Sequence, residues 1–263
     1  MTKAISSKRS AIFLPPSPGT LYLIGAGPGD PELLTLKAAR IIGECDVLLY
    51  DRLIGPGVLK FAKPAAELIY VGKREGEQEQ TQRQIFQMIL HFANAGKSIG
   101  RLKGGDPMVF GRGGEEWALA TSHGIPTVLI PGISSAIGVP GIAGIPLTYR
   151  LVSDAFAVVT AHHQQGEASD WQKYAAIDTL VILMGVKNRV FIAQSLITAG
   201  RPHDDAVAFI ERGSLPSQRI VESVLSEVAA GRVDVRSPAV FVIGPVVKRK
   251  GLGGELAREG GTR

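Results

Sequence analysis

The residues able to do chemistry gather at a few points in the chain, most of them beside glycine. Gly25-Ala26-Gly27-Pro28-Gly29-Asp30 follows an apolar run over 21–24. Glycines so placed let a backbone approach a ligand closely. A dinucleotide fingerprint fits poorly, because Asp30 stands where the third glycine of G-x-G-x-x-G belongs and Pro28 restricts the turn. No Walker sequence occurs, so a phosphate-binding P-loop fits no better. Asp51 follows the apolar run 47–50, and Lys73-Arg74 follows 68–71. By residue type alone these are candidates for chemistry, and equally a turn cap and a solvated pair. The run from Arg101 through Lys103, Gly104, Gly105, Asp106, Val109, Phe110 and Arg112 to Glu116 is the most informative. Its five glycines permit close ligand approach, and Phe110 with charges of both signs is unusual for a mere linker. His162-His163 has no third ligand at a recognisable spacing, and adjacent residues on a strand end point opposite ways, so no metal site is expected.

These points share a position. Apolar runs at 21–24, 47–50, 68–71, 98–102 and 127–130 read as strands. Helical patterns intervene, the first entered at Asp30-Pro31, running to Ile42 and stopped by Gly43. Further helices are expected at 80–95 and 115–123. Alternation of this kind predicts a parallel sheet with helices on its faces. Beyond Arg150 the pattern restarts, with strands at 155–160, 179–184, 206–210, 218–221 and 239–243 and helices at 187–198 and 222–230. The 206–210 and 218–221 strands form a hairpin, since 211–217 is too short for a helical crossover. Ligands of open α/β sheets bind beyond the carboxyl ends of strands. Pro28, Asp51, Lys73, Gly104-Gly105-Asp106, Ser134-Ser135, Met184-Gly185 and Arg212-Gly213 all follow such ends. The fold class expected is α/β, in two domains: 19–148 and 149–247, between basic tails at 1–18 and 248–263 expected to be disordered.

Bulk properties narrow the function classes. The net charge is +5, yet the excess lies in the tails. Residues 11–247 hold 21 basic and 22 acidic residues, so no nucleic-acid-binding face is expected. Residues 125–147 carry no charge, but Pro126, Pro131, Pro140 and Pro146 interrupt them. A buried strand, a turn and a short interior helix are expected there rather than a membrane span. Cys45 is the single cysteine, which precludes an intrachain disulfide and suits a reducing cytoplasm.

A specific likeness emerges once the motifs are taken in order. They are Gly25-Ala26-Gly27-Pro28-Gly29-Asp30-Pro31, Leu34-Thr35-Leu36-Lys37, Tyr50-Asp51-Arg52-Leu53 and Val71-Gly72-Lys73-Arg74, then the 101–116 run. After these come Pro131-Gly132-Ile133, Gly144-Ile145-Pro146-Leu147-Thr148, Met184-Gly185 and Ser237-Pro238-Ala239. Over residues 20–247 the chain resembles the uroporphyrinogen-III C-methyltransferase family of tetrapyrrole methylases. The resemblance implies a homodimer with a ligand cleft between two α/β domains, and S-adenosylmethionine (SAM) as methyl donor without a metal. It further implies methylation of uroporphyrinogen III at C2 and C7, giving precorrin-2 for sirohaem or cobalamin formation. By matching motif, Pro28, Gly104, Gly105, Asp106, Val109, Ser134, Ser135, Met184, Gly213 and Ala239 would contact SAM. Asp51 would accept a proton and Lys73 donate one.

The substrate implied carries acetate and propionate groups, for which Arg101, Arg112, Arg150 and Arg212 are suitable partners, with Tyr149 beside them. Tyr149 stands where the family usually has His, and Ala161 where it usually has Gly. The alternatives are a methylase of a later corrin intermediate and a regulator that binds SAM or tetrapyrrole without turnover.

Overall fold

The computed structural model describes residues 16–72, 82–161 and 170–251. The chain divides into two compact units, Met1–Ile133 and Ser134–Arg263. In the first, β1 (Leu21–Gly25), β2 (Val47–Tyr50), β3 (Glu67–Tyr70), β4 (Ile99–Lys103) and β5 (Thr127–Ile130) form one parallel sheet ordered β3-β2-β4-β1-β5. The connection leaving β1 passes over β4 to reach β2, whereas the one leaving β4 passes over β1 to reach β5. The carboxyl ends of β1 and β4 therefore flank a topological switch point, where such sheets open a crevice.

Period-two alternation makes both faces of this sheet apolar, as expected of buried parallel strands. Tyr22, Ile24, Leu48 and Leu102 pack against Ala38, Ile41 and Ile42 of α1 (Leu36–Glu44). Leu21, Leu23, Leu49 and Ile99 pack on the other face. Their partners there are Ile85, Phe86 and Ile89 of α3 (Gln82–Asn94), which follows the short α2 (Pro56–Leu59), and Ala120 of α4 (Gly113–Ser122).

The first helix differs from expectation. Asp30 does cap a turn, its carboxylate accepting from the Glu32 amide, but Pro31–Leu33 is only a 3-10 turn. Leu34 is extended, and Thr35 caps α1 by accepting from the Ala38 amide. Two capping side chains five residues apart split what periodicity reads as one helix. Gly43 lies inside α1 rather than ending it.

The second unit holds β6 (Phe156–Thr160), β7 (Thr179–Leu183), β8 (Ala206–Glu211), β9 (Arg219–Val224) and β10 (Ala239–Ile243) in the order β6-β7-β10-β8-β9. β6 and β7 are parallel, the other pairings antiparallel, and β8–β9 is the expected hairpin. One face packs on α6 (Arg189–Thr198) and α7 (Leu225–Ala229), with Phe209 and Phe241 stacked at 4.1 Å. The other packs on Ala136 and Val139 of α5 (Ser135–Ile142). Strand β9 continues to Val224, so the helix expected from 222 begins later.

Because α5 packs on the second sheet, the division falls at Ile133/Ser134 rather than at 148/149. The second unit also continues past 247. Val246 and Val247 are buried, Lys250 pairs with Glu222, and the Arg249 guanidinium lies over the Tyr149 ring. Of the two expected tails, residues 1–15 and 252–263 lie outside the described residues. Within those residues no helix is long and apolar enough to cross a membrane.

Candidate active site

Strand β4 sets the chemistry of the first unit. Ile99, Arg101 and Lys103 alternate onto the face that meets α3 and α4. Ile99 joins the apolar core, while both cations meet Glu116 of α4 at the carboxyl end of the strand. Glu116 Oε1 accepts from Lys103 Nζ at 2.9 Å, Arg101 Nε at 3.3 Å and Gln82 Nε2 at 2.8 Å. The three charged side chains are at most 6% exposed. Burial alone would raise the Glu116 carboxyl, but Arg101 and Lys103 outweigh it and hold the group below the usual range. Burial, then Arg101, pulls the Lys103 ammonium below its ordinary value. Among the described residues Glu116 Oε2 is buried without a partner. The remaining Arg101 nitrogens donate to Leu102 O at 2.9 Å and Leu49 O at 3.5 Å, and approach Asp51 Oδ2 at 3.7 Å.

Asp51 leaves the end of β2, next to β4 in the sheet. Its Oδ1 accepts from the Leu53 amide at 3.1 Å, and its side chain is 31% exposed. It is thus both the turn cap and the group offered outward, so the two readings of the residue type are compatible. Lys73 lies outside the described residues, as do His162 and His163.

At the switch point the glycines do what side chains would prevent. A Cβ on Gly25 would lie 2.4 Å from Gly132 N, and one on Gly132 2.3 Å from Gly105 O. The ends of β1, β4 and β5 thus meet backbone to backbone. Gly27 and Gly105 exchange both amide bonds, at 3.2 and 2.7 Å, an antiparallel bridge that joins the loops beyond the parallel β1–β4 pair. Asp106 fastens the third member, Oδ2 accepting from the Gly132 amide at 3.0 Å and Oδ1 from Met108 at 2.8 Å. Pro28 and Gly104 sit in these same loops.

Beyond Asp106 the loop exposes Met108, Val109 and Phe110. Phe110 and Arg112 hold φ of 52° and 57°, a left-handed backbone that costs ordinary residues about 1–2 kcal/mol each. Such strain gathers at functional sites. Arg112 is exposed and grips Glu115 with bonds of 2.6–3.1 Å, which lowers the Glu115 carboxyl.

The second unit repeats the pattern on one edge of its sheet, where β6, β7 and β8 end and β10 begins. Met184 follows β7 at φ 57°, half exposed; Arg212 and Ser214 follow β8 at 46° and 68°. Arg212 donates its amide to Pro238 O at 3.0 Å, and Ala239 pairs with Glu211, bringing Met184, Arg212, Gly213 and Ala239 to that edge. Gly213 has no room for a side chain, since its Cβ would lie 2.3 Å from Val139 of α5. Ser134 caps α5 with its hydroxyl on the Ala136 amide, and Ser135 begins the helix. Tyr149 is half-buried and Arg150 exposed.

Of the arginines read as carboxylate partners, Arg112, Arg150 and Arg212 are exposed, whereas Arg101 is turned inward on Glu116. Its inward face was legible: a central strand alternating Ile99, Arg101, Lys103 buries all three together. Lys103 and Glu116 are the members of this cluster that reading by motif passes over. Among the described residues no group of His, Cys, Asp and Glu could hold a metal ion.

A parallel sheet with a glycine-built switch point in one unit, and a mixed sheet with strained loops on one edge in the other, define an α/β enzyme-like architecture. Comparison makes it specific. Residues 20–229 match the family model of tetrapyrrole (corrin/porphyrin) methylases, and the chain belongs to that family. It is 45% identical to a uroporphyrinogen-III C-methyltransferase of Methanocaldococcus jannaschii, over 87% of this chain and 97% of that one. It is 43% identical to a siroheme synthase of Azotobacter vinelandii over 89% of its own length, but spans only 51% of that protein. The crystal structure of the Thermus thermophilus uroporphyrin-III C-methyltransferase complexed with S-adenosylhomocysteine superposes with a TM-score of 0.78. Identity there is 45%, covering 87% of this chain and 93% of the other.

Proposed function

We propose that the chain catalyses SAM-dependent C-methylation of uroporphyrinogen III at C2 and C7, giving precorrin-2 and two molecules of S-adenosylhomocysteine. The observation that carries this reading is the meeting of Gly25, Gly105 and Gly132 at the switch point, with Asp51 on the neighbouring strand. The close packing of these backbones fixes the loops that follow β1, β4 and β5, at the strand ends where such sheets bind their ligands. When bound, SAM supplies a methyl already activated on sulfur, so a porphyrinogen carbon attacks it without an enzyme nucleophile.

What remains for the chain is orientation and proton removal. Holding two reactants aligned is worth up to about 7–11 kcal/mol. Pro28, Gly104, Gly105, Asp106 and Val109 in the first unit and Ser134, Ser135, Met184, Gly213 and Ala239 in the second are the residues proposed to hold the donor. As the new carbon–methyl bond forms, the sulfur–methyl pair goes to sulfur and the macrocycle must release a proton. Asp51, half outward, is the acceptor proposed, and Lys73 the donor. Arg112, Arg150 and Arg212, with Tyr149, would receive substrate carboxylates. The reading includes a homodimer, and a cytoplasmic setting consistent with the single cysteine.

Anaerobic incubation with uroporphyrinogen III and methyl-labelled SAM tests it. Two labels per macrocycle are expected. SAM binding without transfer would make the chain a regulator, and label entering only a later corrin intermediate would reassign the substrate.

A further inference from the structure

The buried cluster behind Asp51 is poorly built for stability alone. Three donors crowd one oxygen of Glu116, while the other is buried without a partner among the described residues. Buried ion clusters seldom repay their desolvation, and an unsatisfied buried oxygen adds to the cost. Its geometry has a different outcome. Glu116 and the Leu49 and Leu102 carbonyls fix the Arg101 guanidinium, so that its nearest nitrogen stops 3.7 Å from Asp51 Oδ2. That distance attracts a carboxylate without hydrogen-bonding it. Oδ1 is held by the Leu53 amide, and no described donor lies within hydrogen-bond reach of Oδ2. Among the described residues the charged groups facing Asp51 are Arg101 and Lys103 of β4, with Glu116 of α4 behind them and Arg52 beside it in the chain.

We propose that Glu116 is a positioning residue for the methylation. It holds Arg101 off Asp51 and offsets one of the two buried cations, so that Asp51 keeps an oxygen available to accept the substrate proton. The proposal rests on the reading of Asp51 as base. Without the Glu116 charge, two buried cations face Asp51 alone, and Arg101 is released to close on it.

The test measures kcat, KM and their pH dependence for the full chain and for Asp51→Asn, Glu116→Gln and Lys103→Gln/Glu116→Gln, with S-adenosylhomocysteine affinity and thermal midpoint alongside. Glu116→Gln is expected to lower kcat by roughly ten- to a hundredfold with both KM values little changed, and to move the acid limb of kcat to lower pH. The double variant restores one cation to one carboxylate but not the hold on Arg101, so the limb should return part of the way while kcat stays low. It also removes the unpaired buried ammonium, so it answers the question should Glu116→Gln fail to fold. A parental kcat and acid limb in Glu116→Gln, or a double variant that regains parental kcat without Glu116, overturns the proposal. Asp51→Asn separates the two ideas: if it keeps parental kcat, the base reading fails. If it is inactive while Glu116→Gln is unchanged, only the positioning role fails.

Discussion

The two ends of the first sheet both carry a carboxylate paired with a lysine, yet they are built to opposite standards. At the amino end, Asp46 joins α1 to β4 and to the 60–66 segment. Oδ1 accepts from Lys63 Nζ at 2.8 Å, and Oδ2 from the Ser98 amide and hydroxyl at 2.9 and 2.8 Å. Both its oxygens are satisfied, and the side chain is 35% exposed, so little desolvation opposes it. At the carboxyl end Glu116 is buried, overloaded on one oxygen and, among the described residues, unpartnered on the other. A clamp meant only to hold takes the first form. The second tolerates cost in exchange for a defined field around Asp51.

This contrast can be broken in several places. The largest effect is expected for Asp51→Asn, which should lower kcat by about 10²–10⁴ while leaving the thermal midpoint and S-adenosylhomocysteine affinity near parental. A parental rate would remove the chemical role from that end of the sheet. Gly132→Ala comes next. With a Cβ 2.3 Å from Gly105 O, it should cost about 1–3 kcal/mol of stability and abolish S-adenosylhomocysteine binding by calorimetry. Asp46→Asn should do the reverse, leaving kcat parental in the same assay and costing about 1 kcal/mol in urea unfolding, a figure reduced for exposure.

The clamp also has a pH signature. The hydrogen bond from Lys63, then those from Ser98, lowers Asp46 to about 2 from 3.8. Its contribution is therefore complete above about pH 4 and is lost as the pH falls through about 2. An acid titration of stability in the parent, absent in Asp46→Asn, checks this. The smallest stability change is expected for Arg112→Ala, within about 0.5 kcal/mol because the pair is exposed. It should instead raise KM for the tetrapyrrole.

Much of this arrangement was readable from the chain, and the exceptions have physical causes. Strand ends and glycine loops announced themselves because a parallel sheet buries both faces and must change composition abruptly where it stops. Asp51 is a candidate by that position. Periodicity alone could not divide Pro31–Leu33 from α1, because Asp30 and Thr35 are equally good caps. The allegiance of α5 was hidden for another reason. Its apolar residues suit either sheet, and only packing on Ala208 and Val242 decides. Arg101 reads as a ligand group because charge in a glycine-rich run suggests a surface, whereas its alternation with Ile99 belongs to a core strand. Asp106, expected to touch the donor, ties the β4 loop to the β5 loop.

The switch point is made by atoms that are missing. Every replacement of glycine adds at least one carbon, so Gly25 and Gly132 have no conservative neighbour in the genetic code. Gly114 and Gly141, by contrast, have nothing within 4 Å of where that carbon would stand. A saturation library of this chain would thus show intolerance in isolated single positions rather than in blocks, and diversification must proceed through the rims of the loops, never through their closest approach.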